Sequence, residues 1–189
     1  MRDVSSPTPD RGTVLVVEDE KHLADLYTEY LADVHTVRTA YGGSEALDML
    51  APDVDVVLLD RRMPVVSGNE VLAAIEDSEV DPQVAMVTAV DPDFDIIDLG
   101  VDDYIVKPVS KAALRDVVDR LLTIAEYNDR VQQLTSKRLT RNVLQVEKPK
   151  SELEDSDRYA TLEAEISDLE RELDDLAEDL EEDDIVRHR

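Results

Sequence analysis

The chain has 189 residues, enough for one or two small domains, and no cysteine, which excludes a disulfide framework and a zinc–thiolate site. Its 46 acidic and 20 basic side chains give a formal charge of −26, which argues against non-specific nucleic-acid binding by the whole molecule. No apolar run approaches the roughly 20 residues that cross a bilayer, and the first residues lack an apolar signal core. We therefore expect a cytoplasmic protein with no membrane partner.

The excess of acidic residues is uneven along the chain. The net charge is −17 over residues 1–110, +4 over 111–150 and −13 over 151–189. Self-repulsion of this size destabilises a compact state unless salt screens it, so one interpretation is a halophilic protein from a salt-rich cytoplasm. The alternative is an acidic protein of ordinary salinity with a disordered acidic tail.

Strand-like and helix-like segments alternate over the first 125 residues. The strands are expected at Thr13–Val17, His35–Arg38, Val56–Leu59, Val84–Val87 and Tyr104–Val106. The helices are expected at Lys21–Asp33, Ser44–Leu50, Glu70–Glu76, Phe94–Leu99 and from Lys111 onward, with Ser110 as N-cap. This alternation predicts an α/β fold with a parallel sheet and helices on both faces, whose chemistry collects beyond the carboxyl ends of the strands.

Polar side chains follow four of these strands. They are Glu18, Asp19 and Glu20 after the first strand, Asp60 after the third, Thr88 at the end of the fourth, and Lys107 after the fifth. Clustered carboxylates repel one another, and Mg²⁺ relieves that repulsion with a few carboxylate oxygens, waters and a phosphate. A lysine and a threonine nearby suit a phosphoryl group on Asp60, because carboxylates act as covalent nucleophiles for phosphate.

These residues lie in four segments that resemble a response-regulator receiver domain of two-component systems. The segments are VLVVEDE (14–20), VVLLDRRMPVVSG (56–68), MVTA (86–89) and DDYIVKP (102–108). The resemblance implies a flavodoxin-like, doubly wound sheet of five parallel strands in the order 2-1-3-4-5. It also implies a signalling protein rather than an enzyme, phosphorylated by a sensor histidine kinase.

The resemblance assigns roles to individual residues. Asp60 would be the phosphoacceptor, Asp19 and Asp60 direct Mg²⁺ ligands, Arg62 a ligand through its backbone carbonyl, and Glu18 a ligand through water. Lys107 would pair with Asp60 and then with the phosphoryl oxygens, and Thr88 would donate its hydroxyl to them. Tyr104 would be the switch aromatic, and the Lys107–Pro108 bond would be cis. Taken alone, Glu18 and Asp19 could also be solvated surface charges, and Asp60 a turn residue.

Two features depart from the family pattern. Glu18 stands where aspartate is commoner, and we expect its longer side chain to carry the carboxylate outward. The chain between Thr88 and Lys107 is short, so we expect a helix of one to two turns around Asp93–Leu99.

Apolar residues continue at helical spacing after Lys111. Leu114, Val117, Leu121, Ile124, Asn128 and Val131 begin the pattern, and Leu139, Val143 and Val146 resume it after a polar patch. Beyond Pro149, Ser151–Glu154 fits a capping box, and Tyr159, Leu162, Ile166, Leu169, Leu173, Leu176 and Leu180 form a heptad seam. This seam must pack on the 111–146 helix as a coiled-coil hairpin, or on another chain as a homodimer.

This region resembles the HalX output domain, on weaker grounds than the receiver. We divide the chain into a flexible segment 1–11, a receiver domain 12–124, a helical HalX-like output region 125–182 whose first helix continues from the receiver, and a tail 183–189. Lys137, Arg138 and Arg141 form the basic patch that could contact nucleic acid or a partner; a more ordinary interpretation is charge complementarity with the acidic seam helix.

Three functions stay open. The first is a phosphorelay response regulator whose helical region acts by protein–protein interaction. The second is a transcriptional regulator that binds DNA through residues 135–150, although no helix-turn-helix with a basic recognition helix is visible. The third is a dimerisation scaffold that no longer signals, which the complete set of site residues disfavours.

Overall fold

The computed structural model describes residues 12–89 and 100–187, the side chains of 182–187 excepted. The elements in chain order are β1 Thr13–Val17, α1 Lys21–Leu31, β2 Thr36–Ala40, α2 Gly43–Met49, β3 Val56–Leu59, α3 Gly68–Glu76, β4 Gln83–Thr88, β5 Asp103–Val106, α4 Lys111–Glu147, α5 Lys150–Glu154 and α6 Asp157–Arg187. The predicted flexible segment 1–11, the short helix around Asp93–Leu99 and the last two residues lie outside the described residues.

The five strands form one parallel sheet in the order β2-β1-β3-β4-β5, which confirms the predicted topology. In register, Val17 at the end of β1 lies opposite Ala40 of β2 and Leu59 of β3. Thr88 at the end of β4 lies opposite Val106 of β5. The residues that follow these strands therefore emerge at one edge of the sheet.

Successive residues of a strand face opposite sides of the sheet, and both sides are buried here. Leu15, Val57 and Met86 belong to a cluster that includes Ala46 of α2 and Val71 of α3. Their strand neighbours, also buried, face the other side. There α1 and the start of α4 meet, and the Arg115 Nε donates to the Tyr30 carbonyl at 2.7 Å. Strands that are apolar on both faces are thus explained by helices on both faces.

Several element boundaries differ from the sequence prediction by one or two residues, and two of these differences have clear local reasons. The His35 N–H donates to the Leu31 carbonyl and completes the last turn of α1, so β2 begins at Thr36 rather than at His35. Helix α3 begins at Gly68, earlier than the predicted Glu70, because Ser67 and Glu70 form a capping box in front of it.

The chain divides into two compact units between Leu122 and Thr123, within helix α4. In the second unit, α4 and α6 run antiparallel. Leu134 of α4 packs with Ile166 and Leu169 of α6, and the Lys137 Nζ lies 2.7 Å from a Glu165 carboxylate oxygen. The heptad seam of α6 is therefore packed on α4 of the same chain.

One prediction for this unit is wrong. Ser151 does not cap the seam helix, because it lies inside the short helix α5 with Pro149 at the N-cap. The long helix α6 begins at Asp157 instead, where the Ser156 hydroxyl accepts a hydrogen bond from the Tyr159 N–H at 3.3 Å. Leu139, Val143 and Val146, which continue the apolar pattern predicted for α4, are exposed.

Among residues 12–89 and 100–187, none of the helices combines the length and hydropathy of a membrane-spanning segment.

Candidate functional site

An open cleft of about 370 Å³ lies at the carboxyl edge of the sheet. It is lined by Glu18, Asp19, Glu20, Leu23, Asp60, Arg62, Thr88, Ala89 and Lys107. The structure therefore brings together every predicted member of the receiver site except Tyr104, which packs against the neighbouring apolar core.

Asp60 is held at the cleft by the backbone around it. Its N–H donates to the Val17 carbonyl at 2.9 Å, which continues the pairing between β1 and β3 by one residue. Gly68 packs directly on this turn, and a Cβ at that position would lie 2.3 Å from the Asp60 carbonyl oxygen. A glycine is therefore required where the loop returns past Asp60, and the Gly68 N–H donates to the Arg61 carbonyl at 3.0 Å.

Three carboxylates meet in the cleft. Glu18, Asp19 and Asp60 each offer an oxygen, and these oxygens all lie within 4.8 Å of one another. Glu18 and Asp60 are buried, whereas Asp19 is exposed at the mouth. Oxygen donors with several negative charges in a partly open cleft fit Mg²⁺, which keeps some of its waters.

Lys107 supplies the positive charge of the cleft. Its Nζ lies 2.5 Å from a Glu18 carboxylate oxygen and 3.4 Å from an Asp60 oxygen, with 14% of the lysine side chain exposed. Glu18 is thus turned inward, and the expectation that its longer side chain carries the carboxylate outward is wrong. A buried carboxylate needs a compensating charge, and Lys107 provides it.

Burial and neighbouring charge set the proton affinities of this pair. Burial raises the pKa of Glu18, and the Asp60 charge adds to that effect, while the hydrogen bond from Lys107 opposes it. Burial by itself lowers the pKa of Lys107, but the hydrogen bond to Glu18 and the charge of Asp60 outweigh it and leave that pKa raised. Lys107 is therefore firmly protonated.

Thr88 and Tyr104 lie on the same face of the sheet. On the adjacent strands β4 and β5, Thr88 pairs with Val106, and Met86 pairs with Tyr104. Tyr104 and Val106 are two residues apart in β5, so Tyr104 lies on the same face as Thr88. Thr88 is buried at the floor of the cleft and Tyr104 is half-buried. The Lys107 N–H donates to the Thr88 carbonyl at 2.9 Å, and the Lys107–Pro108 peptide is cis, as predicted.

Sequence reasoning missed two apolar residues of the cleft wall. Leu23 of α1 and Ala89 after β4 line the cleft beside the carboxylates. Leu23 was predicted as an ordinary apolar position of its helix, and periodicity alone could not have distinguished it. Adjacency to Thr88 was the only signal for Ala89.

The predicted basic patch lies in the second unit and is engaged by acids of α6. Lys137 pairs with Glu165 at 2.7 Å, Arg138 with Glu170 at 2.6 Å, and Arg141 with Glu163 at 3.8 Å. These pairs agree with the more ordinary interpretation of the patch, which is charge complementarity with the acidic helix α6.

Comparison with known proteins matches both units to families. Residues 14–119 match the family model of the response regulator receiver domain, and residues 123–188 match that of the HalX domain. A candidate transcriptional regulator of Haloferax volcanii is 47% identical over 121 residues, which cover 64% of this chain and 21% of that protein. Response regulator SaeR of Staphylococcus epidermidis is 35% identical over 130 residues, covering 64% of this chain and 56% of SaeR.

The fold has solved relatives as well. The signal receiver domain of a candidate Luxo repressor protein from Vibrio parahaemolyticus superposes with a TM-score of 0.59 at 28% identity, covering 65% of this chain and 98% of that domain. The matched part spans about a fifth of the Haloferax protein and just over half of SaeR, so likeness to these relatives concerns their receiver portions.

Proposed function

The chain belongs to the response-regulator receiver family and carries a HalX domain behind the receiver, and from this we propose that Asp60 accepts a phosphoryl group from a sensor histidine kinase. It is a response regulator of two-component signalling, a signalling protein rather than a classical enzyme. The observation that carries the proposal is the meeting of Asp60 with Glu18, Asp19 and Lys107 in one cleft. A cytoplasmic location stays a prediction.

In the proposed transfer, an Asp60 carboxylate oxygen attacks the phosphorus of a phosphohistidine. The new bond joins that oxygen to phosphorus, and the bond from phosphorus to the histidine nitrogen breaks with its electron pair staying on the imidazole. Such reactions depend on positioning and on neutralising the oxygens of the transferred group. Lys107, which is 3.4 Å from Asp60, is positioned to neutralise them.

The acidic cluster fits a divalent cation. Asp19 and Asp60 would hold it directly, with the backbone carbonyl of Arg62, and Glu18 would act through water. Bound Mg²⁺ supplies charge neutralisation at the transferring phosphoryl oxygens. The support is the chemistry of the donor set, which offers three carboxylates within 4.8 Å and a single compensating lysine.

The proposed response to phosphorylation is a shift of Thr88 and Tyr104. The Thr88 hydroxyl lines the same cleft as Asp60 and would donate to the phosphoryl oxygens. Tyr104 occupies the same sheet face two residues from the partner of Thr88, so a movement of Thr88 changes the space beside the tyrosine ring. Phosphorylation would thereby bias a two-state equilibrium of this edge.

The helical region is the proposed output, acting by contact with another protein. Its basic side chains are paired with acids of α6 within the chain, which favours this output over DNA binding through 135–150. DNA binding stays the alternative, since a Haloferax relative is described as a candidate transcriptional regulator. A gel shift in high salt separates the two, because a DNA complex should disappear when Lys137 and Arg138 are replaced by glutamate.

The phosphoacceptor assignment is tested with acetyl phosphate and Mg²⁺, followed by intact-protein mass spectrometry. The expected result is one added phosphoryl group that is labile to acid and alkali and absent from Asp60→Asn. The matched control is Asp48→Asn, an exposed acid on α2, which should gain the group normally. No gain by the wild type, or an equal gain by Asp60→Asn, would leave the non-signalling scaffold as the better description.

A further inference from the structure

One face of α4 in the second unit carries no charge. Between Asn128 and Val146, the face turned away from α6 is formed by exposed, uncharged residues. They are Asn128, Val131, Gln132, Thr135, Leu139, Asn142, Val143 and Val146. The charged residues of this stretch that pair with α6 are Arg130, Lys137, Arg138 and Arg141. By helical position, Arg130, Lys137 and Arg141 stand on the opposite face, and Arg138 borders the stripe beside Val131. We call the eight residues the uncharged stripe.

The aliphatic members of the stripe are unusually exposed. The exposed fraction is 38% for Val131, 61% for Leu139, 61% for Val143 and 83% for Val146, with no cover from the part of the chain that the structure describes. Charged residues make up 35% of the sequence, so a helix face of this length without any charge is unusual for this composition. Contiguous exposed apolar surface marks an interaction site.

The stripe is straight, and four of its eight members are aliphatic. Its positions repeat every eleven residues: Asn128 is followed by Leu139, Val131 by Asn142, and Thr135 by Val146. An eleven-residue period follows the turn of an α-helix more closely than a heptad does, so these positions stay on one side of α4. At 1.5 Å per residue the stripe is about 27 Å long. This length suits contact with another helix.

Charge decides which partner fits. The chain has a net charge of −26, so two copies repel wherever acidic surfaces meet. The stripe offers neither cations for nucleic acid nor acids for a basic protein. The bases of this stretch of α4 are already paired with Glu163, Glu165, Glu170 and Glu172 of α6. A second copy presents the same neutral face, and a two-fold axis brings identical patches together.

We propose that the chain forms a two-fold symmetric dimer through the uncharged stripe of α4. The interface is distinct from the heptad seam of α6, since Ile166 and Leu169 of that seam are buried against α4 in the same chain. The proposal is independent of the phosphoacceptor assignment, because it rests on α4 alone and not on Asp60.

Sedimentation velocity of the full chain in about 2 M KCl, where repulsion between acidic copies is screened, gives the first test. The wild type should sediment at twice the mass of the 21.2 kDa chain. The triple variant Leu139→Gln, Val143→Gln, Val146→Gln should be monomeric with an unchanged helix content by circular dichroism, because the altered side chains are exposed and glutamine is a good helix former. The control, Gln133→Ala with Thr140→Ala, alters exposed residues of α4 outside the stripe and should stay dimeric.

Cysteine cross-linking gives the second test without background, since the chain has no cysteine. Leu139→Cys should form an intermolecular disulfide under mild oxidation, whereas Ala164→Cys, exposed on α6, should not. A monomeric wild type, a dimeric triple variant, or equal cross-linking at the two positions would overturn the proposal.

Discussion

Replacing Lys107 by methionine removes the cation that compensates two buried carboxylates while keeping much of the side-chain volume. In the wild type the ammonium lies 2.5 Å from Glu18 and 3.4 Å from Asp60, and only 3% of the Glu18 side chain is exposed. Without Lys107, the Glu18 carboxylate would be buried beside Asp60 without its hydrogen-bonded ammonium partner. We expect it to take up a proton, because burial already raises its pKa in the wild type.

That protonation sets an upper limit on the pH-dependent part of the cost that comes from Glu18. Holding a proton on Glu18 costs about 1.4 kcal/mol for each pH unit above its ordinary pKa of 4.5. The limit is therefore about 3.5 kcal/mol at pH 7 and about 0.7 kcal/mol at pH 5. A carboxyl whose folded-state pKa is raised loses stability as the pH rises through its unfolded-state pKa, so the deficit of Lys107→Met should grow from pH 5 to pH 7.

Urea unfolding in EDTA at the two pH values measures this deficit directly. The control is Lys111→Met, because that lysine is 48% exposed and 3.8 Å from Asp33, and its loss should change the free energy of unfolding by less than about 0.5 kcal/mol. A deficit that is equal at both pH values, or larger at pH 5, would refute the assignment of Lys107 as the counter-ion of Glu18.

Three further predictions concern the cores and the charge. Ile166→Ala, which opens the small core between α4 and α6, should cost about 2–5 kcal/mol in the second unit and leave phosphorylation of the receiver unchanged; a circular-dichroism melt and the acetyl phosphate assay check this. Burial raises the pKa of Tyr27, so above pH 10.0 the unfolded chain loses the phenolic proton before the folded chain does, and the free energy of unfolding falls. In urea unfolding, the free energy of unfolding of Tyr27→Phe should fall less steeply with pH than that of the wild type. An equal dependence on pH in the two proteins would contradict this. The melting temperature should rise between about 0.1 and 2 M KCl if the charge of −26 opposes folding, and a flat response would refute that reading.

The sheet and the site were predictable because each depends on local signals that agree. Runs such as VVLL (56–59) indicate strands buried on both faces, and residues after parallel strands must meet at one edge. That reasoning predicted the convergence of Asp19, Asp60 and Lys107. It did not predict that Lys107 lies closer to Glu18 than to Asp60, because the spacing of residues in a sequence says nothing about which of two nearby carboxylates is more deeply buried.

The helical region was less predictable because periodicity identifies apolar faces without identifying their partners. Leu139, Val143 and Val146 continue the apolar pattern of α4, yet α6 packs on a different face centred on Leu134. The start of α6 was also missed, since two serines compete as caps and only Ser156 precedes an uninterrupted helix. The choice between them depends on how the chain turns at Pro149 and is not encoded in the capping pattern itself.

The most direct test of the central claim locates the phosphoryl group by reductive trapping. After incubation with acetyl phosphate, borohydride reduces a phosphoaspartate to homoserine, which tandem mass spectrometry assigns to a position. We predict homoserine at position 60 when Mg²⁺ is present and none in EDTA. Trapping at another aspartate, or equal trapping at position 60 without Mg²⁺, would contradict a magnesium-dependent phosphoacceptor at Asp60.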